Sequence, residues 1–118
     1  MVAHTSLYHW LQVGTAVHQQ RGEWMLAKVY TVLGMADIAI LHARRCLALT
    51  ENYQDQMEDF DRAFAYEGIA RASALSGNQQ EAKKYLEMAQ AAGEAILDAE
   101  DKEIFMGDLN SGDWYGVS

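Results

Sequence analysis

Proline is absent from the 118 residues and cysteine occurs once, at Cys46. Without proline, nothing in the chain removes a main-chain donor from a helix interior or forces a kink there. With a single thiol no intrachain disulfide can form, so the fold must rest on its apolar core, and a reducing, cytoplasmic compartment is the expected home. Basic residues are also scarce: nine Lys and Arg face seventeen Asp and Glu, a net charge of -8. A surface of that sign repels phosphate backbones, which argues against nucleic acid as a partner. No apolar run approaches the roughly 18 residues of a membrane span, and Met1 to Trp10 lacks the basic stretch and apolar core of a signal peptide. No membrane association is expected.

Catalytic signatures are missing as well. The chain has no glycine-rich phosphate loop, no GxSxG, no HExxH and no CxxC, and its serines at 6, 73, 76, 111 and 118 sit in no activating pattern. Neither an enzyme nor a cofactor or metal is expected. Cys46 and His42 share a helix face four residues apart, but zinc usually needs three or four ligands, and a core cysteine beside a helix histidine is the simpler reading. Asp59 with Asp61, and Asp98 with Asp101, read as helix caps in preference to an acid-base pair. Asp108, Asn110 and Asp113 fail as a calcium loop, because Gly112 falls on the fifth position and the closing Glu is missing.

What is present favours helix. Half the residues are apolar, and Ala, Leu, Met, Glu, Gln, Lys and Arg fill the long segments at little cost in side-chain freedom. A short first helix is expected after Thr5 or Ser6, carrying Leu7, Trp10 and Leu11, with Gly14 and Thr15 weakening its continuation. A second runs from about Val17 to Leu33, with Trp24, Ala27, Tyr30 and Leu33 at helical spacing and Gly34 as its left-handed terminator. A third spans Ala36 to Glu51, with Ile40, Leu41, Ala43, Cys46 and Leu47 on a wide apolar stripe. Polar residues from Asn52 to Asp59 break the pattern. A fourth helix, with Phe60, Phe64, Ala65, Ile69, Ala72 and Leu75 available to the core, ends at Ser76 before Gly77.

Asn78 with Glu81 resembles a capping box opening a fifth helix through about Ala92, whose buried side is Ala82, Tyr85, Leu86 and Ala89. Asp98 or Asp101 caps a last helix with Ile104, Phe105 and Leu109 facing inward. The expected organisation is one helical domain over residues 1–109 and a C-terminal tail over 110–118. Charge is uneven, since residues from Asp98 onward carry -5 and the preceding ones -3.

Aligned on Gly34 and Gly77, one unit reads Leu26, Ala27, Tyr30, Gly34, Ala39, Cys46, Leu47 and the other Tyr66, Ile69, Ala70, Ser73, Gly77, Ala82, Leu86, Ala89. Both resemble the tetratricopeptide repeat (TPR), in which small residues sit where paired helices touch. The units lie 43 residues apart against a usual spacing of about 34, Glu23 stands where the repeat prefers Trp, and neither unit ends in Pro. The run from Arg21-Gly22-Glu23-Trp24 through His42 to Leu47 and on to Ala65-Tyr66-Glu67 also resembles a group of small bacterial proteins without an assigned activity. The resemblance implies an all-α fold of antiparallel helical pairs, a TPR-like superhelix of five to six helices.

In that resemblance the groove is lined by the first helix of each unit: Arg21, Trp24, Lys28 and Thr31 from one, Phe64, Glu67 and Arg71 from the next. Lys and Arg bind carboxylates through charge-assisted hydrogen bonds. The implied function is a non-catalytic interaction scaffold binding a peptide or protein partner, an acidic one by the chemistry of the cations. A small-molecule sensor with a pocket between the repeats, formed by Tyr30, His42, Tyr66, Glu67 and Arg71, is the alternative. Few repeats leave an end to cover, so a homodimer is a further expectation.

Overall fold

In the computed structural model, the main chain is described for residues 2–117 and side chains for residues 16–117. Five helices follow one another: α1 (Val2–Val32), α2 (Ala36–Asn52), α3 (Asp59–Ser76), α4 (Gln79–Glu94) and α5 (Ala99–Leu109), with a single 3-10 turn at Gln54–Gln56. Among the described residues there is no strand, and no helix is long and apolar enough to cross a membrane.

The two tight reversals sit where the glycines required them. Gly34 and Gly77 have φ of 78° and 89°, the left-handed region in which a Cβ is strained. Each joins two helices packed side by side, α1 to α2 and α3 to α4. At the start of α3, Asp61 is not the cap itself: from the third helical position it accepts the Glu58 N–H at 3.1 Å. Asp59 instead accepts the Leu97 N–H at 3.0 Å, tying α3 to the α4–α5 connection. Asn78 and Asp98 do cap α4 and α5, accepting from Glu81 N–H at 3.2 Å and Asp101 N–H at 2.9 Å.

Helix α3 is the hub, packing on α1, α2, α4 and α5. It can serve four neighbours because most of its buried positions are small: Ala63, Ala65, Gly68, Ala70, Ala72, Ser73 and Ala74, beside the larger Asp61, Glu67 and Ile69. Small residues let helix axes approach closely, at the lower end of the ~8–10 Å range. Ala39 and Ala82, the small positions of the second helix in each pair, are both fully buried. One cluster gathers Ala27, Ala39, Ala43, Ile69 and Ala72. A second gathers Ala70, Ala74, Ala82, Leu86 and Ala89 around Phe105 and Leu109.

Four expectations need correction. Helix α1 runs unbroken through Gly14 and Thr15, since one helical glycine costs only about 1 kcal/mol. Leu7, Trp10 and Leu11 have side chains outside the described residues. Leu33 and Leu41 are exposed where burial was expected, and Ile104 yields the inward position to its neighbour Phe105. The segment after Leu109 is no loose tail: Val117 is buried and packs, with Trp114 and Tyr115, against the α3–α4–α5 cluster.

Candidate functional site

All seven residues placed in the groove by sequence lie on α1 or α3, and the structure brings them onto facing walls. Each wall is already wired to the other. Arg21 on α1 grips the buried Asp61 of α3 with two bonds, of 2.9 and 3.1 Å, and lies 5.3 Å above the Phe60 ring. Trp24 donates its indole N–H to Glu67 Oε1 at 3.4 Å and meets Phe64 edge-on at 5.2 Å. Phe64 in turn packs edge-on against Phe105 of α5 at 4.9 Å. Gly68 permits this approach, because a Cβ there would come within 3.2 Å of the Trp24 ring.

Toward the α1 C-terminus the groove widens into a hollow of about 520 Å³, walled by Lys28, Thr31, Glu67, Arg71, Asp108 and Tyr115 among others. Lys28 reaches Asp108 Oδ1 at 3.1 Å across the groove and lies 5.1 Å over Trp24. Thr31 is buried, its hydroxyl donating to Ala27 O at 2.7 Å, so it contributes floor and not a free hydroxyl. Its carbonyl accepts the Tyr115 hydroxyl at 3.3 Å.

Arg71 organises the centre. Its Nε donates to the buried carboxylate of Glu67 one helical turn before it. Its two terminal nitrogens donate to three main-chain carbonyls: Asp108 and Ser111, each at 2.7 Å, and Asp113 at 3.1 Å. The face of the guanidinium lies 4.1 Å over the Trp114 ring. A planar fork with five donors is the one side chain able to do this, since Lys offers neither the fork nor the flat face. Residues 110–117 thereby form a strap across the groove. At Gly112, φ is 76° and a Cβ would stand 2.9 Å from Arg71 Nη1, so a side chain there would strain the backbone and push the guanidinium aside.

Beneath the clamp two carboxyl groups approach each other. Burial pushes Glu67 up to about 7, the negative charge of Asp108 adds to that rise, and the Arg71 guanidinium opposes it without cancelling it. The Asp108 Oδ2 atom is buried and takes no hydrogen bond. The countercharge of Arg71 therefore changes near neutral pH, although Glu67 is almost fully inaccessible.

Sequence reasoning missed the strap side of the site, namely Asp108, Ser111, Asp113, Trp114 and Tyr115. The adjacent aromatics Trp114 and Tyr115 in an otherwise small, polar stretch were the available signal. The five residues of the alternative pocket are not gathered in one hollow: Tyr30 stacks on His42 at 5.7 Å, Tyr66 on Tyr85 at 6.4 Å, and Glu67 and Arg71 belong to the groove. His42 Nδ1 is paired with Glu23 at 2.6 Å. Burial pushes the Cys46 thiol up to about 12, leaving it protonated and unreactive. Among the described residues no three His, Cys, Asp or Glu side chains converge as metal ligands. The chain matches no family model, no curated protein and no solved structure.

Proposed function

We propose that the chain is a non-catalytic, TPR-like protein-interaction scaffold that holds an extended peptide segment in the groove between α1 and α3. One observation supports this reading above the others: Arg71 donates to three main-chain carbonyls, Asp108 in the last turn of α5 and Ser111 and Asp113 in the irregular segment after it, and stacks on the tryptophan of that segment. Main-chain carbonyls are common to every peptide, so a site built to take them in cis has the chemistry to take a partner's. The cis occupant also suggests the partner's character, an acidic residue to meet Lys28 and an aromatic to cover Arg71.

A partner segment competes with the strap, which the chain holds at an effective concentration of the order of millimolar. The test therefore loosens the strap first, with Trp114→Ala and Val117→Asp in the full chain. A labelled synthetic peptide reproducing residues 108–118 is then titrated and followed by fluorescence anisotropy. Saturable binding is expected to the loosened chain, weaker binding to the parent, and none after Lys28→Ala and Arg71→Met are added. A loosened chain that retains its helicity but ignores the peptide rejects the proposal.

The hollow of about 520 Å³ falls within the ~300–1,000 Å³ of small-ligand cavities and favours the sensor as second reading. A metabolite that raises the melting temperature of the parent chain, with no effect on the Arg71→Met variant, would select it.

A further inference from the structure

Helix α1 has a second apolar face. Counting about 100° per residue, Met25, Leu26, Val29, Val32 and Leu33 fall within a stripe roughly 120° wide, opposite the buried Ala16, Ala27 and Thr31. Val32, Leu33 and Met25 are 76%, 63% and 60% exposed. Met35 continues the patch at the turn, and Leu26 borders a shallow furrow with Arg45, Ala48 and Leu49 of α2. The exposed apolar area of these six is on the order of 500 Å², at the upper end of what a soluble monomer leaves uncovered.

The two ends of the helical stack differ. At the far end the outward face of α4 is solvated by Gln79, Gln80, Lys83, Lys84, Glu87 and Gln90, all exposed. Among the described residues, the outward face of α1 at the other end carries the apolar stripe in place of such a cap, and stacked helical pairs need a polar cap, or a neighbour, at each end. Charge points the same way. Residues 1–50 hold Arg21, Lys28, Arg44 and Arg45 against Glu23 and Asp37, a balance of +2, leaving -10 for residues 51–118. Two copies of so acidic a chain repel each other over most approaches, and least through the α1–α2 end.

We propose that the Met25–Leu33 stripe of α1 is a homodimer interface, covered in solution by the same stripe of a second copy. A stable interface buries about 800 Å² per partner, of which about 65% is apolar in homodimers. The exposed stripe supplies that apolar share, and its polar flanks Gln19 and Arg45 lie where a rim would fall. Apart from Val32, which also lines the hollow, the interface lies on a different side of α1 from the strap, and it does not depend on the groove reading.

Sedimentation equilibrium on the full chain tests this. The parent is expected to show a concentration-dependent mass approaching two chains at micromolar concentration. Val29→Glu with Leu33→Glu, both at exposed positions, is expected to weaken association at least a hundredfold with unchanged helicity and melting of the monomer. Lys84→Glu, on the opposite end, is expected to leave the association constant within a factor of two. A parent that stays monomeric, or a dimer indifferent to the stripe charges, overturns the proposal. So does a monomeric parent that pellets with vesicles rich in anionic lipid, since the stripe would then be meeting a membrane surface.

Discussion

Replacing Arg71 with Met keeps the stem packed along α3 while deleting every polar contact that the guanidinium makes. The guanidinium lies between the buried Glu67 carboxylate, three carbonyls and the Trp114 ring. Breaking a buried pair by removing one partner costs about 3–5 kcal/mol, because the other charge is left uncompensated. Here the lower figure applies, since Glu67 already sits near 7 and can take up a proton. The Ser111 and Asp113 carbonyls are exposed and regain water, so they add little, and the lost stacking on Trp114 adds about 0.5–1 kcal/mol. The total is about 4 kcal/mol, most of the stability of many domains and equivalent to about 15 °C in melting temperature at this length.

Urea unfolding followed by circular dichroism measures the loss, and proteolysis at the C-terminus reports the strap separately. Expected are a folded but weakened chain and rapid cleavage beyond Asn110. A double-mutant cycle gives the sharper check. If the cost arises from stranding Glu67, then Glu67→Gln placed on top of Arg71→Met restores part of it, so the double variant is more stable than the sum of the single losses predicts. Additive losses would refute the reasoning. An Arg71→Met variant within 1 kcal/mol of the parent would refute it too, as would a strap that stays protected.

Glu67 also sets a pH dependence of unusual sign. Its folded-state value, about 7, lies above the ordinary 4.5, so the folded chain binds more protons than the unfolded one between these values. Stability from this group is present below about pH 5 and falls as pH rises toward 7, opposite to a salt-bridged carboxylate. Urea midpoints measured across that window are expected to drop with rising pH in the parent and to flatten in Glu67→Gln. A third perturbation probes the α4–α5 junction: a Cβ at Gly93 would lie 2.5 Å from the Phe105 ring and 2.8 Å from Met106 Sδ. Gly93→Ala should therefore cost about 1–3 kcal/mol by overpacking, exceeding the ~1 kcal/mol that alanine gains in a helix; a thermal melt at or above the parent's would refute this close packing.

How much of this was legible in the sequence depends on whether a feature leaves a period or a marker residue. The reversals at Gly34 and Gly77, the caps at Asn78 and Asp98 and the small stripe of α3 all leave one, and they were found. The same register gave the seven residues expected to line the groove. The outer face of α1 was hidden because the helix is apolar on two sides. Periodicity then identifies a helix but cannot say which side packs, so Leu33 was read at the same helical spacing as Ala27. Ile104 and Phe105 are adjacent, and a short helix of 11 residues offers too few turns to choose between them. The strap has no period at all. Its position depends on carbonyls, which every residue has, and on an arginine 37 to 42 residues earlier in the chain.

The two binding faces meet at one residue, and that residue separates the two proposals from each other. Around the axis of α1, Thr31 in the groove floor and Val29 in the outer stripe lie about 200° apart. Val32 lies between them: it belongs to the exposed stripe and also lines the hollow beside Lys28 and Thr31. A charge at Val29 or Leu33 should disturb association alone, and loss of the Lys28 amine should disturb peptide capture alone, because sites that share no partner act additively. Val32→Glu should weaken both, placing a carboxylate at the rim of the hollow, where it competes for Lys28, and on the edge of the apolar stripe. The comparison requires the strap-loosened background for capture and the parent for sedimentation. If Val32→Glu lowers the dimer mass and leaves peptide capture unchanged, the hollow does not extend to Val32 when occupied, and the segment it holds must lie nearer α3.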